Sequence, residues 1–152
     1  MSEPWPDPRL RPGHQVQWLL DPRQAWLALL GALDGAHHTI DGQLYMLQAD
    51  ASGDAFVQAL VRARARGVAV RLVLDGVGSG GTSAGQLHAL VEAGVQLCAF
   101  GPVRLSVPWR YWMHRNHRKI FCIDGELAQV SGRNVTVSNV VAKVNAAGAS
   151  AL

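Results

Sequence analysis

The chain has 152 residues, 49% of them apolar and 16% charged, so it can bury the core of one ordinary domain. This composition excludes a disordered tail or a fibrous repeat. The formal net charge is only +3, so any attraction to anionic partners depends on where the charges lie rather than on their total.

Three further features bear on the compartment. Cys98 and Cys122 lie in the apolar stretches VQLCAF and KIFCID, so we expect reduced thiols in the core and no disulfide. No apolar run approaches the ~18 residues of a membrane span. Residues 1–12 hold four prolines, lack the order of a signal peptide and predict a flexible arm. We therefore expect a cytoplasmic protein that can bind peripherally to the inner face of a membrane.

Strand and helix patterns alternate over the first two thirds of the chain. Residues 14–20 alternate polar and apolar side chains, as in a short strand. Asp21 and Pro22 suit the N-cap and first position of a helix that stops near Gly35. There follow a strand over 39–47, a helix over 54–66, a strand over 68–76, a helix that ends at Gly94 and a strand over 95–100. This order predicts an α/β fold with a largely parallel sheet.

The remainder of the chain has a different character. Residues 93–123 contain no acidic side chain, and their basic residues are interleaved with aromatic ones. Those basic residues are Arg104, Arg110, Arg115, Arg118 and Lys119. Asp124-Gly125 predicts a hairpin of two strands over residues 118–131. Residues 135–152 carry one charge and no aromatic side chain, and we expect a low-complexity tail there.

The stretch His117-Arg118-Lys119 is the most informative for chemistry. Side chains two residues apart in a strand share a face, so His117 and Lys119 point the same way and Arg118 points opposite. A neutral imidazole can attack phosphorus and form a phosphohistidine, while an ammonium neutralises the oxygens that gain charge. This chemistry requires no metal and no cofactor.

Two later residues extend this group. Asp124 lies an odd number of residues from His117, which places it on the other face or at the hairpin corner, where its simplest role is structural. Asn134 follows the second strand of the hairpin and could return an amide donor to the same phosphate. Gly132 would let the backbone approach an oxyanion closely.

These residues carry a family resemblance. HRKIFCID, GELAQV and SGRN resemble the HxKxxxxDxxxxxxGSxN signature of the phospholipase D superfamily, called the HKD motif. Upstream, Tyr45, Asp50, RARGVAVRLVLDGVGS and LVEAGV are similar to the N-terminal half of bacterial cardiolipin synthases. The resemblance covers residues 13–134 and implies a layered α/β domain with a mixed, mostly parallel sheet flanked by helices.

The resemblance also implies roles for individual residues. It gives a catalytic set of His117, Lys119, Asp124 and Asn134. Arg115, Arg118, Ser131 and Gly132 form the expected substrate-binding set. One departure is that Ser131 occupies a glycine position of the family pattern and Gly132 the position that follows it.

The number of motifs is a larger departure. The family's site uses two facing motifs, in which one histidine attacks and the other protonates the leaving oxygen, whereas this sequence holds one HxK. Two remedies are open: a symmetric homodimer, or a second half absent from this chain. Residues 135–152 do not resemble the family's continuation, which suggests a truncated or frame-shifted synthase half.

Three functions remain open. The leading one is phosphatidyl transfer as in cardiolipin synthase, on an anionic phospholipid resembling phosphatidylglycerol. The second is a small homodimeric nuclease of the same superfamily, acting on DNA or RNA. The third is a non-catalytic remnant that binds anionic lipid or nucleic acid through Arg104, Arg110 and Arg115.

Overall fold

The computed structural model describes residues 15–102 and 115–135. The expected arm at 1–12, the tail beyond residue 135, and Arg104 and Arg110 lie outside these described residues. Within the two ranges, no helix combines the length and the apolar character needed to cross a membrane.

Within the described residues, three helices and five strands alternate much as expected. In chain order they are α1 (Pro22–Gly35), β1 (Thr39–Leu44), α2 (Ala51–Ala65), β2 (Ala69–Asp75), α3 (Ala84–Glu92), β3 (Gln96–Phe100), β4 (Ile120–Ile123) and β5 (Leu127–Val130). The α/β prediction and the hairpin within residues 118–131 are confirmed.

The five strands form one mixed sheet in the order β3-β2-β1-β4-β5. The pairs β1–β2 and β2–β3 are parallel, which confirms the parallel sheet expected of the first part of the chain. The pairs β1–β4 and β4–β5 are antiparallel. Strand β4 therefore lies beside the central strand β1 and brings the segment before it, with His117, to the carboxyl end of β1.

Side-chain caps explain where the helices begin. The Asp21 carboxylate accepts the backbone N–H groups of Arg23 and Gln24 at the start of α1. Ser83 and Gln86 form a capping box at the start of α3. The helix expected over 54–66 begins earlier, at Ala51, because the Asp50 side chain accepts the Gly53 N–H.

The core lies between the helices and one face of the sheet. Alternate residues of the central strands are buried on this face, and the Phe56 ring of α2 meets the Phe121 ring of β4 edge-on at 5.6 Å. Phe121 lies across Gly42 of β1, where an added Cβ would be 2.7 Å from the ring. The buried face therefore needs a glycine at the position where the central strand passes under the Phe121 ring.

Two expectations from the sequence are wrong. Residues 15–20 form no strand, and Val16, Trp18 and Leu20 are at least 75% exposed, because no strand of the sheet lies beside them. Cys98 is exposed rather than in the core, since it lies on the edge strand β3 with its side chain on the sheet face away from the helices. Cys122 is only partly buried, and both thiols are free.

Candidate active site

His117 and Lys119 lie just before β4, and their side chains meet as the HxK spacing predicts. Lys119 Nζ is 3.0 Å from His117 Nδ1 and donates a hydrogen bond to the His117 carbonyl oxygen at 2.8 Å. The imidazole is exposed, whereas Lys119 is 3% exposed. An accessible imidazole thus lies directly on a buried cation, and an anion that reaches the imidazole also reaches the field of the ammonium.

The Tyr45 ring forms one wall of this pair. It packs against the His117 ring with centroids 4.5 Å apart, and Lys119 Nζ lies 5.3 Å from its centroid, within cation–π range. Tyr45 follows β1 directly, so the end of the central strand sets the position of this wall. One aromatic side chain therefore holds both members of the HxK pair.

Burial affects the charge of Lys119. Removal of the ammonium from water lowers the pKa of Lys119 below its ordinary value. Its neighbour Arg118 is exposed, as expected of a side chain that points the opposite way. The two cations therefore differ in surroundings, and only Lys119 is held against the imidazole.

Asp75, the last residue of β2, ties three segments together beneath the pair. Its carboxylate is fully buried and accepts the backbone N–H groups of Val77 and Gly78 at 3.0 Å and of Asn116 at 2.8 Å. Burial alone would raise the pKa of Asp75, but these hydrogen bonds and the charge of Arg115 outweigh it and hold that pKa below its usual range. Because Asn116 precedes His117, Asp75 fixes the chain at the point where the HxK segment begins.

Arg115 forms an ion pair with this carboxylate through one of its guanidinium nitrogens. One terminal nitrogen lies 3.3 Å from Asp75 Oδ1 and donates to the Gly101 carbonyl oxygen at 3.0 Å. The Nε and second terminal nitrogen are buried and find no hydrogen-bond partner among residues 15–102 and 115–135. Within the described residues, the guanidinium therefore bonds through one of its three nitrogens only.

Asn134 returns to the site through the hairpin. Ser131 N–H donates to the Lys119 carbonyl oxygen at 2.9 Å, and the chain then makes a bridge between Val135 and Leu47 just beyond β1. Asn134 and Lys119 line the same pocket between α1 and the hairpin. The Asn134 side-chain oxygen is buried and finds no hydrogen-bond partner in the described part of the chain.

The remaining predicted substrate contacts lie on the same return. The Ser131 hydroxyl accepts the Arg133 N–H at 3.0 Å and so closes the turn that leads to Asn134. Gly132 is exposed, and no atom lies within 4 Å of the place where its Cβ would be. The Ser-Gly departure from the family pattern is thus accommodated by an open turn.

The structure does not bring Asp124 to the other site residues. It lies at the hairpin corner, where its carboxylate accepts the backbone N–H groups of His37, His38 and Thr39 at 2.7 to 2.9 Å. These bonds, the one from His37 first, lower the pKa of Asp124 to about 2. Asp124 lies seven positions after His117, and seven residues of extended chain correspond to about 23 Å. Asp124 anchors the entry to β1 at the opposite end of the sheet.

Sequence reasoning missed the residues that support the pair. Tyr45 was noted above only for the family resemblance, and Asp75 was not singled out, although Tyr45 contacts His117 and Asp75 holds Asn116. One signal was present: an aspartate at the carboxyl end of a buried strand, followed by a glycine-rich loop. Parallel strands collect ligand-binding residues at that end of a sheet, so Asp75 could have been flagged.

Comparison with known protein families agrees with this geometry. Residues 29–147 match the family described as "Cardiolipin synthase, PLD-like domain". The chain therefore belongs to the phospholipase D-like domain family of cardiolipin synthases.

Relatives that match the chain are much longer proteins. The chain is 36% identical over 121 residues to cardiolipin synthase of Alkalihalophilus pseudofirmus, a match covering 80% of this chain and 24% of the relative. It is 36% identical over 125 residues to cardiolipin synthase A of Pseudomonas putida, covering 80% of this chain and 26% of the relative. The chain thus matches about a quarter of the length of these relatives.

Two solved structures share the fold. The phospholipase D family member Nuc from Salmonella typhimurium has a TM-score of 0.55 at 24% identity, covering 74% of this chain and 66% of that protein. NucT from Helicobacter pylori has a TM-score of 0.57 at 12% identity, covering 84% and 86% respectively. At this level of identity they show the architecture alone, which confirms the phospholipase D-like fold.

Proposed function

We propose that the chain supplies one half of a phospholipase D-type active site that transfers a phosphatidyl group through a phosphohistidine at His117. One observation carries the proposal: an exposed imidazole lies 3.0 Å from the buried ammonium of Lys119. That arrangement suits the capture of a phosphodiester by the cation and its attack by the ring. The family to which the chain belongs supports a lipid as the donor.

The reaction divides into two displacements at phosphorus. His117 Nε2 attacks the phosphodiester, the bond from phosphorus to the departing glycerol oxygen breaks, and that oxygen takes a proton from the histidine of a second motif. The alcohol of a second phosphatidylglycerol-like lipid then gives its proton to that second histidine and attacks phosphorus, which releases His117. The substrate places the domain in peripheral contact with the membrane that holds the lipid.

We infer the phosphate ligands from the residues that lie around the pair. Lys119 and Asn134 line one pocket, where they would present an ammonium and an amide to the phosphate oxygens. Arg115 would add its guanidinium, and Arg118 and the Ser131-Gly132 turn would bind the outer part of the substrate. We assign Asp124 a supporting role, because it holds the hairpin to β1 and is remote from the pair.

The second motif is an essential part of the proposal. General acid catalysis contributes about 10²- to 10⁴-fold in rate, and one chain offers one HxK histidine. A symmetric homodimer would supply the second copy across its two-fold axis, and a longer partner polypeptide would supply it otherwise. We therefore expect turnover only from an assembly that holds two motifs.

Subunit mixing tests the homodimer. Purified chains are mixed with His117→Ala chains at constant total concentration on phosphatidylglycerol vesicles, and glycerol release and cardiolipin formation are measured. If each site needs two histidines, an equal mixture retains about a quarter of the activity of the unmixed protein; if single chains act alone, it retains about half. Asp34→Ala, an exposed residue in the last turn of α1, serves as the control mixture and should leave the activity unchanged.

Mass spectrometry tests the covalent step. The protein is incubated with phosphatidylglycerol and quenched in base, and a phosphatidyl adduct is sought on the peptide that holds His117. An adduct on wild type that is absent in His117→Ala supports the proposal. Lipid turnover with an adduct on another residue would overturn it.

The same preparation separates the two alternatives. Nicking of plasmid DNA in the presence of a chelator, without lipid turnover, would identify a nuclease. Binding of anionic vesicles or nucleic acid without turnover of either phosphodiester, by a protein that is monomeric in solution, would identify a non-catalytic remnant.

A further inference from the structure

The contact between Lys119 and His117 constrains the proton on the imidazole. A protonated lysine has three N–H donors and no acceptor, so the ring nitrogen 3.0 Å away must accept. Nδ1 of a neutral His117 therefore carries no proton, and the ring proton resides on Nε2. A second donor of the same ammonium is fixed on the His117 carbonyl oxygen, which keeps Nζ close to Nδ1.

This resting form is not competent for either histidine role in the proposed reaction. Attack requires a lone pair on Nε2, the nitrogen that Lys119 leaves unoccupied, and in a neutral ring this places the proton on Nδ1. Protonation of a leaving oxygen requires the imidazolium, which carries protons on both nitrogens. Both roles need a proton on Nδ1, where the ammonium now donates.

We propose that Lys119 locks His117 in its Nε2–H tautomer until a phosphate group draws the ammonium away from Nδ1. The inference rests on the proposed function and extends it, because Lys119 then both binds the phosphate and releases the nucleophile. On release, Nε2 gives a proton to water and Nδ1 takes one from water, so the ring stays neutral. An imidazole that is inactive in the empty site becomes nucleophilic only when a substrate phosphate is in place.

The surroundings of Lys119 favour this exchange of partners. Its ammonium is buried, and its neutral partners, the His117 ring and carbonyl oxygen, compensate weakly for lost water. A phosphate oxygen forms a charge-assisted hydrogen bond, which is roughly twice as strong as a neutral one. The Tyr45 ring contacts both side chains and can hold the imidazole while Nζ turns toward the anion.

Nuclear magnetic resonance of the ring nitrogens tests the lock without any turnover. Protein with ¹⁵N-labelled histidine is studied at about pH 8, where an ordinary imidazole is neutral, and His117→Gln assigns the His117 signals. Long-range ¹H–¹⁵N spectra distinguish the tautomers, since the protonated and bare nitrogens have different shifts. Inorganic phosphate is then titrated into wild type, Lys119→Met and Arg23→Met, in which a different, exposed cation of α1 is removed.

We expect wild type and Arg23→Met to show the Nε2–H tautomer alone and to gain Nδ1–H as phosphate binds. In Lys119→Met the two nitrogen shifts should converge, because the tautomers interconvert freely, and phosphate should have no further effect. An Nδ1–H tautomer in phosphate-free wild type, or a Nε2–H tautomer that persists at saturating phosphate, would overturn the proposal.

The experiment also separates this inference from the proposed function. If phosphate does not bind at all, locked Nε2–H signals that are lost in Lys119→Met still support the lock, and the failure to bind counts against the proposed function. An unlocked histidine in a protein that binds phosphate would leave the proposed function standing and reject the lock.

Discussion

Asp75 and Asp124 each accept three backbone N–H groups, but they lie at opposite ends of the sheet. Asp75 closes β2 and holds Val77, Gly78 and Asn116 at the end where His117 lies. Asp124 closes β4 and holds residues 37–39 at the entry to β1. The motif names Asp124 and omits Asp75, although Asp75 is the aspartate bonded to Asn116, the residue that precedes His117.

The difference shows that a motif position need not be a position in the site. Asp124 has φ of 55°, a left-handed conformation that aspartate tolerates, and it closes the turn before β5. Its spacing from His117 equals the length of the segment that runs through β4 to the turn. The motif spacing therefore reflects the length of that segment and does not show that both residues lie in one site. Asp75 is fully buried and faces the charge of Arg115, so its loss should have larger consequences.

Asp75→Asn should have the largest effect on stability. The substitution leaves the Arg115 charge buried without its partner and turns an amide donor toward backbone donors, which typically costs about 3 to 5 kcal/mol. Urea unfolding measures the loss. The double variant Asp75→Asn/Arg115→Met removes the orphaned charge and should recover part of it; no recovery would mean that the backbone bonds, and not the ion pair, dominate.

Gly78→Ala tests how the same end of the sheet supports the pair of His117 and Lys119. A Cβ on Gly78 would lie 2.2 Å from the Tyr45 carbonyl oxygen and 2.7 Å from its ring, so Tyr45 must move. We expect a loss of about 1 to 3 kcal/mol in unfolding free energy and a change in the His117 ring signals. The matched control is Gly31→Ala in α1, where nothing lies within 4 Å, and which should stabilise by about 0.5 to 1 kcal/mol. Equal effects at both positions would contradict the packing argument.

Tyr45→Leu and Tyr45→Phe separate the ring from the hydroxyl. Loss of the ring contacts with His117 and Lys119 should cost about 1 kcal/mol in Tyr45→Leu, while Tyr45→Phe keeps the ring and should unfold as wild type does. Thermal unfolding gives the comparison. If Tyr45→Phe is as damaging as Tyr45→Leu, the hydroxyl matters and the ring wall is not the reason for tyrosine at this position.

The sequence predicted most of the helical layer because local signals specify it. Asp21 and Pro22 indicate the start of α1, and apolar periodicity indicates each later helix. The same reasoning assigned residues 14–20 to a strand because their polar and apolar side chains alternate. Alternation does not show that a partner strand lies beside the segment. The prediction that Cys98 lies in the core was wrong for a related reason. An apolar neighbourhood in the sequence does not show which strand forms the edge of the sheet.

The part of the candidate site that the sequence predicted is formed by two residues close together in the chain. The i, i+2 spacing of His117 and Lys119 is local, and the structure brings their side chains together. Asp75 lies 41 positions before Asn116, and Tyr45 meets His117 only because β1 and β4 are neighbours. Such contacts follow from strand order, which periodicity and spacing do not contain.

Asp124→Asn should have a smaller effect than Asp75→Asn because its carboxylate faces no buried cation in the described part of the chain, and its dependence on pH identifies its cause. The variant keeps a side chain suited to the left-handed turn but gives up the charge that accepts the His37, His38 and Thr39 N–H groups. Because folding lowers the pKa of Asp124 from 3.8 to about 2, its charged form stabilises the fold above about pH 4, and this contribution disappears as the pH falls toward 2. Urea midpoints should therefore favour wild type at neutral pH and converge with those of Asp124→Asn between about pH 4 and pH 2. A difference in urea midpoint that persists unchanged at about pH 2 would mean that the asparagine disturbs the hairpin by its shape. The charge of Asp124 would then not be what it shares with Asp75.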